Sequence, residues 1–321
     1  MDSKYKKSLI MTILFGIFMI VVSAGTQVKK GDLIKLDSII SDAGDKSTVS
    51  GEVVNSNQEI SEYYTGLSSQ PTLAELQQHS FQKHTNWIKY NDVTTYYRVS
   101  DQYRSVDEIP GKYKNEAIYS GKEIDFSLRV TKEHVWACND SAGLWVHSSD
   151  KSDKHCVDNV SYIGGGSDLY HVRPSGSDTN TARGDAPFID FDDFGYLTKI
   201  NINYDGSDLK FYASKSGYKT GKLTYADYVE PPDQYKGDIA RIVAYLYMHY
   251  KTNSNTPSDK KSLTGGLRLT NVLGYSSDSK CIEILKKWNK LDKPSDVEKH
   301  RNHVGQQIQG NRNPFVDYPE L

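Results

Sequence analysis

The hydrophobic residues of this 321-residue chain follow two different periods in two different parts of it, and that separation limits the fold more than any other feature. From Glu123 to His134 the apolar positions alternate, with Phe126, Leu128 and Val130 interleaved with Ser127, Arg129 and Thr131. A period of two marks a strand with one buried face. In the last third the spacing becomes three and four. Ile239, Ile242, Val243, Leu246 and Tyr250 fall on one face of a helix that starts after Pro232, and Ile282, Leu285 and Trp288 continue the pattern. A final helix is expected from Pro294 to about Ile308, with Ser295 or Asp296 near its cap. A few strands with segregated helices read as an α+β fold, and no internal repeat is visible.

The N-terminus sets the compartment. Lys4, Lys6 and Lys7 precede an apolar run from Leu9 to Val22, which ends in the small residues Ser23 and Ala24. This is the pattern of a secretory signal peptide over residues 1–24. The run is shorter than the roughly 20 residues of a comfortable membrane span, so an uncleaved anchor is the weaker reading. Residues 25–58 are polar and without sustained periodicity, a lead-in rather than a domain. One folded domain is expected over 59–321, opening with helical spacing at Ile60, Tyr63, Tyr64 and Leu67 and a second helix from Thr72 to Trp87. Ser105 to Lys114 reads as a loop, Ala142 to Ser167 as a long surface loop, and Pro174 to Arg183 as a short helix stopped by Gly184 and Pro187.

Charge excludes little. Asp2, Lys4, Lys6 and Lys7 contribute +2 to a formal net charge of −2, which leaves −4 from Gly25 onward. That is not the basicity of a protein that coats nucleic acid, although a turnover enzyme needs only a local basic cleft. Some of the 23 tyrosines could stack on bases. The three cysteines, Cys138, Cys156 and Cys281, lack zinc-knuckle or redox-pair spacing. In a secreted chain one disulfide and one free thiol are expected. Cys138 and Cys156 bracket one short loop and are the expected pair.

Two segments carry candidate chemistry. The strand ends in Thr131-Lys132-Glu133-His134-Val135-Trp136. Further on, Asp168-Leu169-Tyr170-His171-Val172-Arg173-Pro174 precedes Asn180 and Arg183, which lie three apart and share a helix face. Each alone is an ordinary surface arrangement. Together with YKGDIAR at 235–241 and QGNRNPFVDYPE at 309–320, they resemble the endonuclease I family, secreted or periplasmic nucleases with a ββα-metal (His-Me finger) core surrounded by helices. Tyr63-Tyr64, His84-Thr85 and Tyr119-Ser120-Gly121 also fall where family members have similar residues. The resemblance covers most of the chain after residue 59. Two departures are Ala137-Cys138, where family members have Pro after EHVW, and Tyr170 and Tyr318, which stand where His is common.

The resemblance implies that His134 is the general base and that Glu133 and Asn180 hold one divalent cation, normally magnesium, with calcium or manganese as substitutes. Magnesium prefers oxygen ligands and keeps open positions for phosphate, while imidazole titrates near the pH at which water must be activated. Arg173 and Arg183 are lesser candidates for phosphate contacts and equal candidates for structural ion pairs; His171 is expected to orient the site. Asp238 and Arg241 are expected to pair within the core, and the QGNRNPF tail to tie backbone groups across the fold. Adjacent strand residues point to opposite faces, so Glu133 and His134 can serve one site only where the strand ends or twists. The implied activity is cleavage of DNA and RNA without strong sequence preference, giving 5′-phosphate ends through contacts to backbone phosphates. A monomer without a stable protein partner is the simplest assembly. Two other readings share the fold: an extracellular ribonuclease with little action on duplex DNA, and a non-catalytic nucleic-acid-binding surface protein, whose mark would be loss of Glu133, His134 or Asn180.

Overall fold

The computed structural model of the protein describes residues 57–100, 102–103, 114–121, 131–138, 146–148, 162–201, 208–213, 218–220, 223–251 and 267–320. All fall in one compact unit, 51–321. The expected signal segment, the lead-in as far as Ser56, residues 123–130 of the expected strand and Cys156 lie outside the described residues. Among the described residues no helix is long and apolar enough to cross a membrane.

In chain order the elements are α1 (Asn57–Tyr63), α2 (Leu73–Lys83), α3 (Val93–Ser100), β1 (Gln102–Tyr103), β2 (Lys114–Asn115), β3 (Thr131–His134), β4 (Val146–Ser148), β5 (Tyr162–Gly164) and β6 (Val172–Ser175). They continue with α4 (Ser177–Arg183), β7 (Thr198–Ile200), β8 (Lys210–Ala213), β9 (Tyr218–Thr220), β10 (Leu223–Tyr225), β11 (Tyr228–Glu230), α5 (Asp233–Tyr250), α6 (Asp278–Leu291), α7 (Asp296–Gln309) and α8 (Pro314–Asp317). Among the described residues β1–β2, β3–β6, β4–β5 and β9–β10 pair as antiparallel two-stranded sheets, and β8 is central in the sheet β11-β8-β7. Helices with small antiparallel sheets make the α+β class expected from the two hydrophobic periods.

The core is organised around α5. Ile239, Val243 and Leu246 are fully buried and share a cluster with Cys281, Ile284 and Trp288 of α6. A Cβ at Gly237 would collide with the Asp292 carbonyl, so only glycine lets the start of α5 approach the end of α6 this closely. Sequence signals also fix two helix starts. Thr72 and Ser295 each accept from the backbone of the glutamate three residues on, Glu75 or Glu298, which caps them in return.

Three expectations change. The helix expected to reach Trp87 ends at Lys83. Pro174 belongs to β6 and the helix begins at Ser177. The residue before a proline favours extended backbone, and a strand paired on one side tolerates the missing N–H. The stretch read as a surface loop holds β4 and β5, and Gly165, Gly166 and Ser167 are buried. Without side chains to solvate, these glycines let the backbone itself enter the core, where Ser167 Oγ donates to the Ile88 carbonyl at 2.7 Å. The three-stranded sheet and α3 were not legible, because strands of three or four residues are too short to display a period.

Candidate active site

The centre of interest is a strand–strand–helix unit. β3 pairs antiparallel with β6, so that Glu133 faces Arg173 and His134 faces Val172 across the ladder. One residue, Gly176, separates β6 from α4. Thr131 and Glu133 project to the same face of β3, and α4 lies across it. Asn180 Nδ2 donates to Thr131 Oγ1 at 3.2 Å and to the Lys132 carbonyl at 3.1 Å. One turn later the Arg183 guanidinium stands 3.4 Å from Glu133 Oε1 and donates to the carbonyls of His134 and Val135, both at 2.7 Å. Arg183 thereby ties the helix to the very end of the strand.

Glu133 is 1% exposed. Its Oε1 accepts from the Tyr119 hydroxyl at 2.7 Å, whereas Oε2 is buried with no hydrogen-bond partner among the described residues. Burial raises the carboxyl above the usual glutamate range, opposed by the Arg183 charge and the Tyr119 hydroxyl. Tyr119 is itself buried and has φ +78°, the only positive φ outside glycine among the described residues. A left-handed backbone costs an L-residue roughly 1–2 kcal/mol. Burial holds its hydroxyl well above the ordinary tyrosine pKa, so it remains a donor.

His134 occupies the other face and is half-buried. Its Nε2 lies 2.8 Å from the Gly166 carbonyl. A carbonyl only accepts, so Nε2 carries the proton and the neutral ring keeps its lone pair on Nδ1. Tyr90 stacks on the ring at 5.5 Å, and Lys132, two residues back on the same face, places its ammonium 3.7 Å from the Tyr90 centroid. His171 is adjacent, with ring centroids 5.4 Å apart. Its Nδ1 meets the Gly165 carbonyl at 2.7 Å while Nε2 accepts the Trp136 N–H at 2.9 Å, which fixes the opposite tautomer. Burial, reinforced by the nearby His134, lowers the His171 pKa well below the usual histidine value. Neighbouring carbonyls of one buried glycine turn therefore hold neighbouring imidazoles.

The other sequence candidates are used elsewhere. Arg173 is buried and pairs with Asp238 at 3.5 Å. Asp238 pairs with Arg241 at 3.3 Å as expected, and Arg241 also donates to Glu298, Asn289 Oδ1 and the Asp292 carbonyl. The tail ties backbone groups: Gln309 Oε1 accepts the Leu169 N–H at 2.7 Å, and Asn313 Nδ2 reaches the Arg241 carbonyl at 3.2 Å. Tyr170, in a position where His is common, donates to the Asn311 carbonyl and packs where a Cβ on Gly305 would clash. Cys138 is disulfide-bonded and Cys281 is a buried free thiol.

Sequence reasoning missed three features. Tyr119 gave no sign that its hydroxyl would meet Glu133, and the glycines at 164–166 gave none that their carbonyls would hold two histidines. The third is a buried group of His84, Asp168 and His249, whose ligand atoms lie within 4.8 Å of one another, close enough to hold a metal ion. Asp168 already accepts four hydrogen bonds there, from Tyr245, Tyr250, Gln309 and the Tyr170 N–H.

Fold and site together define an α+β protein built round a strand–strand–helix unit with a histidine at the strand end, a buried carboxylate and a helix-borne amide. The chain belongs to the Endonuclease I family, whose sequence model matches residues 72–320. It is similar to the extracellular ribonuclease of Bacillus amyloliquefaciens, 31% identical over 160 residues that make up 49% of this chain and 45% of that one. It is likewise similar to the extracellular ribonuclease of Bacillus subtilis (strain 168), 28% identical over 190 residues, 59% of this chain and 51% of the relative. The matched regions span about half the length of these curated relatives.

Proposed function

We propose that the protein is a secreted, metal-dependent endonuclease that hydrolyses phosphodiester bonds in RNA and DNA without strong sequence preference, leaving 5′-phosphate ends. The observation that carries this reading is Glu133 Oε2, a buried carboxylate oxygen with no partner among the described residues. Such an atom is costly unless something cationic completes it. Asn180 supports the same fit: its amide nitrogen is spent on β3, and its carbonyl oxygen has no protein donor among the described residues. One carboxylate and one amide oxygen form a donor set suited to magnesium. When bound, that ion would neutralise charge building on the phosphoryl oxygens and the leaving group.

The chain's own residues do the rest. His134, with Nε2–H anchored on Gly166, directs the Nδ1 lone pair at a water molecule and takes its proton as the water attacks phosphorus; the P–O3′ bond breaks and the departing 3′ oxygen takes a proton from solvent. His171 holds the glycine turn on which His134 leans. Because His134 is the last residue of β3, both strand faces are reachable from the space beyond the strand end, which lets Glu133 and His134 serve one phosphate. Arg183 acts by fixing this strand end, and Arg173 by fixing β6 to α5.

The relatives' names favour a second reading, a ribonuclease with little action on duplex DNA. Digestion of plasmid DNA, single-stranded DNA and structured RNA, with and without chelator, tests both. Cleavage of all three that stops with chelator supports the broad nuclease. Cleavage of RNA alone supports the narrower one, and undiminished cleavage in chelator overturns the metal-dependent site.

A further inference from the structure

We propose that Tyr119 is a positioning residue for the cation: its hydroxyl holds Glu133 Oε1 so that the second carboxylate oxygen is presented to the ion. The inference rests on the reading of Glu133 as a metal ligand. Three observations carry it. The Tyr119 hydroxyl donates to Oε1 at 2.7 Å while Oε2 is left without a partner among the described residues. The Tyr119 backbone is held in a left-handed conformation that a bulky side chain disfavours. The turn that imposes this conformation is tied on both sides of the residue: Ile118 N–H donates to the Pro174 carbonyl of β6 at 2.9 Å, Gly121 N–H to the Ala117 carbonyl at 3.1 Å, and Asp208 N–H to the Tyr119 carbonyl at 3.1 Å.

This arrangement has a definite consequence for the carboxylate. Arg183 alone, 3.4 Å from the same Oε1, would leave Glu133 free to rotate either oxygen toward the guanidinium. A second donor on Oε1 fixes the rotamer, because the Tyr119 hydroxyl and the Arg183 guanidinium then both hold the same oxygen. Glycine would relieve the backbone but would lose the donor, and phenylalanine would keep the ring but lose it too. Partners that orient a ligating group typically change metal affinity about 10–100-fold when removed.

The test is a manganese titration, followed by electron paramagnetic resonance and calorimetry, of the full chain and of its Tyr119→Phe, Glu133→Ala and doubly substituted variants. Tyr119→Phe should weaken manganese binding by about 10–100-fold. Because the hydroxyl acts through Glu133, adding Tyr119→Phe to Glu133→Ala should weaken binding no further. A packing role would lower thermal stability equally in both backgrounds and leave affinity alone. Tyr119→Asn, which suits a left-handed backbone, provides the same loss of hydroxyl should Tyr119→Phe fail to fold. Wild-type affinity in a folded Tyr119 variant, with Glu133→Ala impaired, overturns the positioning role and spares the metal site. Wild-type affinity in Glu133→Ala overturns both.

Discussion

Two regions of the molecule both bury polar residues and differ in how completely these are satisfied. In the C-terminal lock, Arg312 Nε and Nη2 meet both oxygens of Asp317, at 2.7 and 2.6 Å, and Nη1 reaches Gln306. Asp317 also accepts from Tyr64 and Asn302. Arg241 is bound as fully by Glu298, Asp238, Asn289 and the Asp292 carbonyl. At the strand–strand–helix unit the Glu133 oxygen remains unpartnered among the described residues. His134 and Asn180 are half-buried rather than sealed. The tail is closed on itself, whereas Glu133 keeps one buried carboxylate oxygen without a partner among the described residues. A buried polar motif can be wholly structural, and an unsatisfied buried group calls for an explanation of its own.

The contrast can be broken at the lock first. Arg312→Ala leaves Asp317 buried without its cation, and removal of one member of a buried pair typically costs about 3–5 kcal/mol. Urea denaturation should show a loss of that size, with cleavage per folded molecule retained at low temperature. A stability loss below about 1 kcal/mol would show that the lock is ornamental.

How much of this could be read in advance depends on the range of the interaction. The face of α5, the Ser295 cap and the Asp238–Arg241 pair are local, with partners three or four residues apart, and spacing reveals them. The strand end at His134 and the helix at Asn180 were legible for the same reason. Contacts across 14 to 172 residues were not: Tyr119 with Glu133, the glycine carbonyls with His134, and Gln77 with the backbone of His249 depend on how elements pack. Short strands such as β7 and β8 were hidden because three or four residues hardly establish a period.

A smaller effect sharpens the difference between closed and open histidines. His249 is fully buried beside His84, Phe81 and Tyr245, with Asp168 and the Tyr250 ring also packed round it. Burial, and then the neighbouring His84, lowers its pKa well below the usual histidine value. The unfolded chain therefore takes up the proton first as pH falls. The stability contributed by the neutral ring is full above about pH 6.5 and is lost on acidification, by up to about 1.4 kcal/mol per pH unit. Between about pH 6.5 and 5, His249→Gln should lower that slope by up to one proton. An unchanged slope would mean that His249 is not held neutral.

The central claim is that His134 and the pair Glu133–Asn180 do different jobs at one phosphate. It is tested most directly by measuring cleavage against magnesium concentration for His134→Ala, Glu133→Ala and Asn180→Ala. His134→Ala should lose roughly 10²–10⁴-fold in turnover at every magnesium concentration, since a missing base is not replaced by metal. Glu133→Ala and Asn180→Ala should instead need more magnesium and recover part of their activity as it is raised, because mass action offsets a weakened site. Recovery of His134→Ala by magnesium, or indifference of the other two to it, would contradict this division of labour.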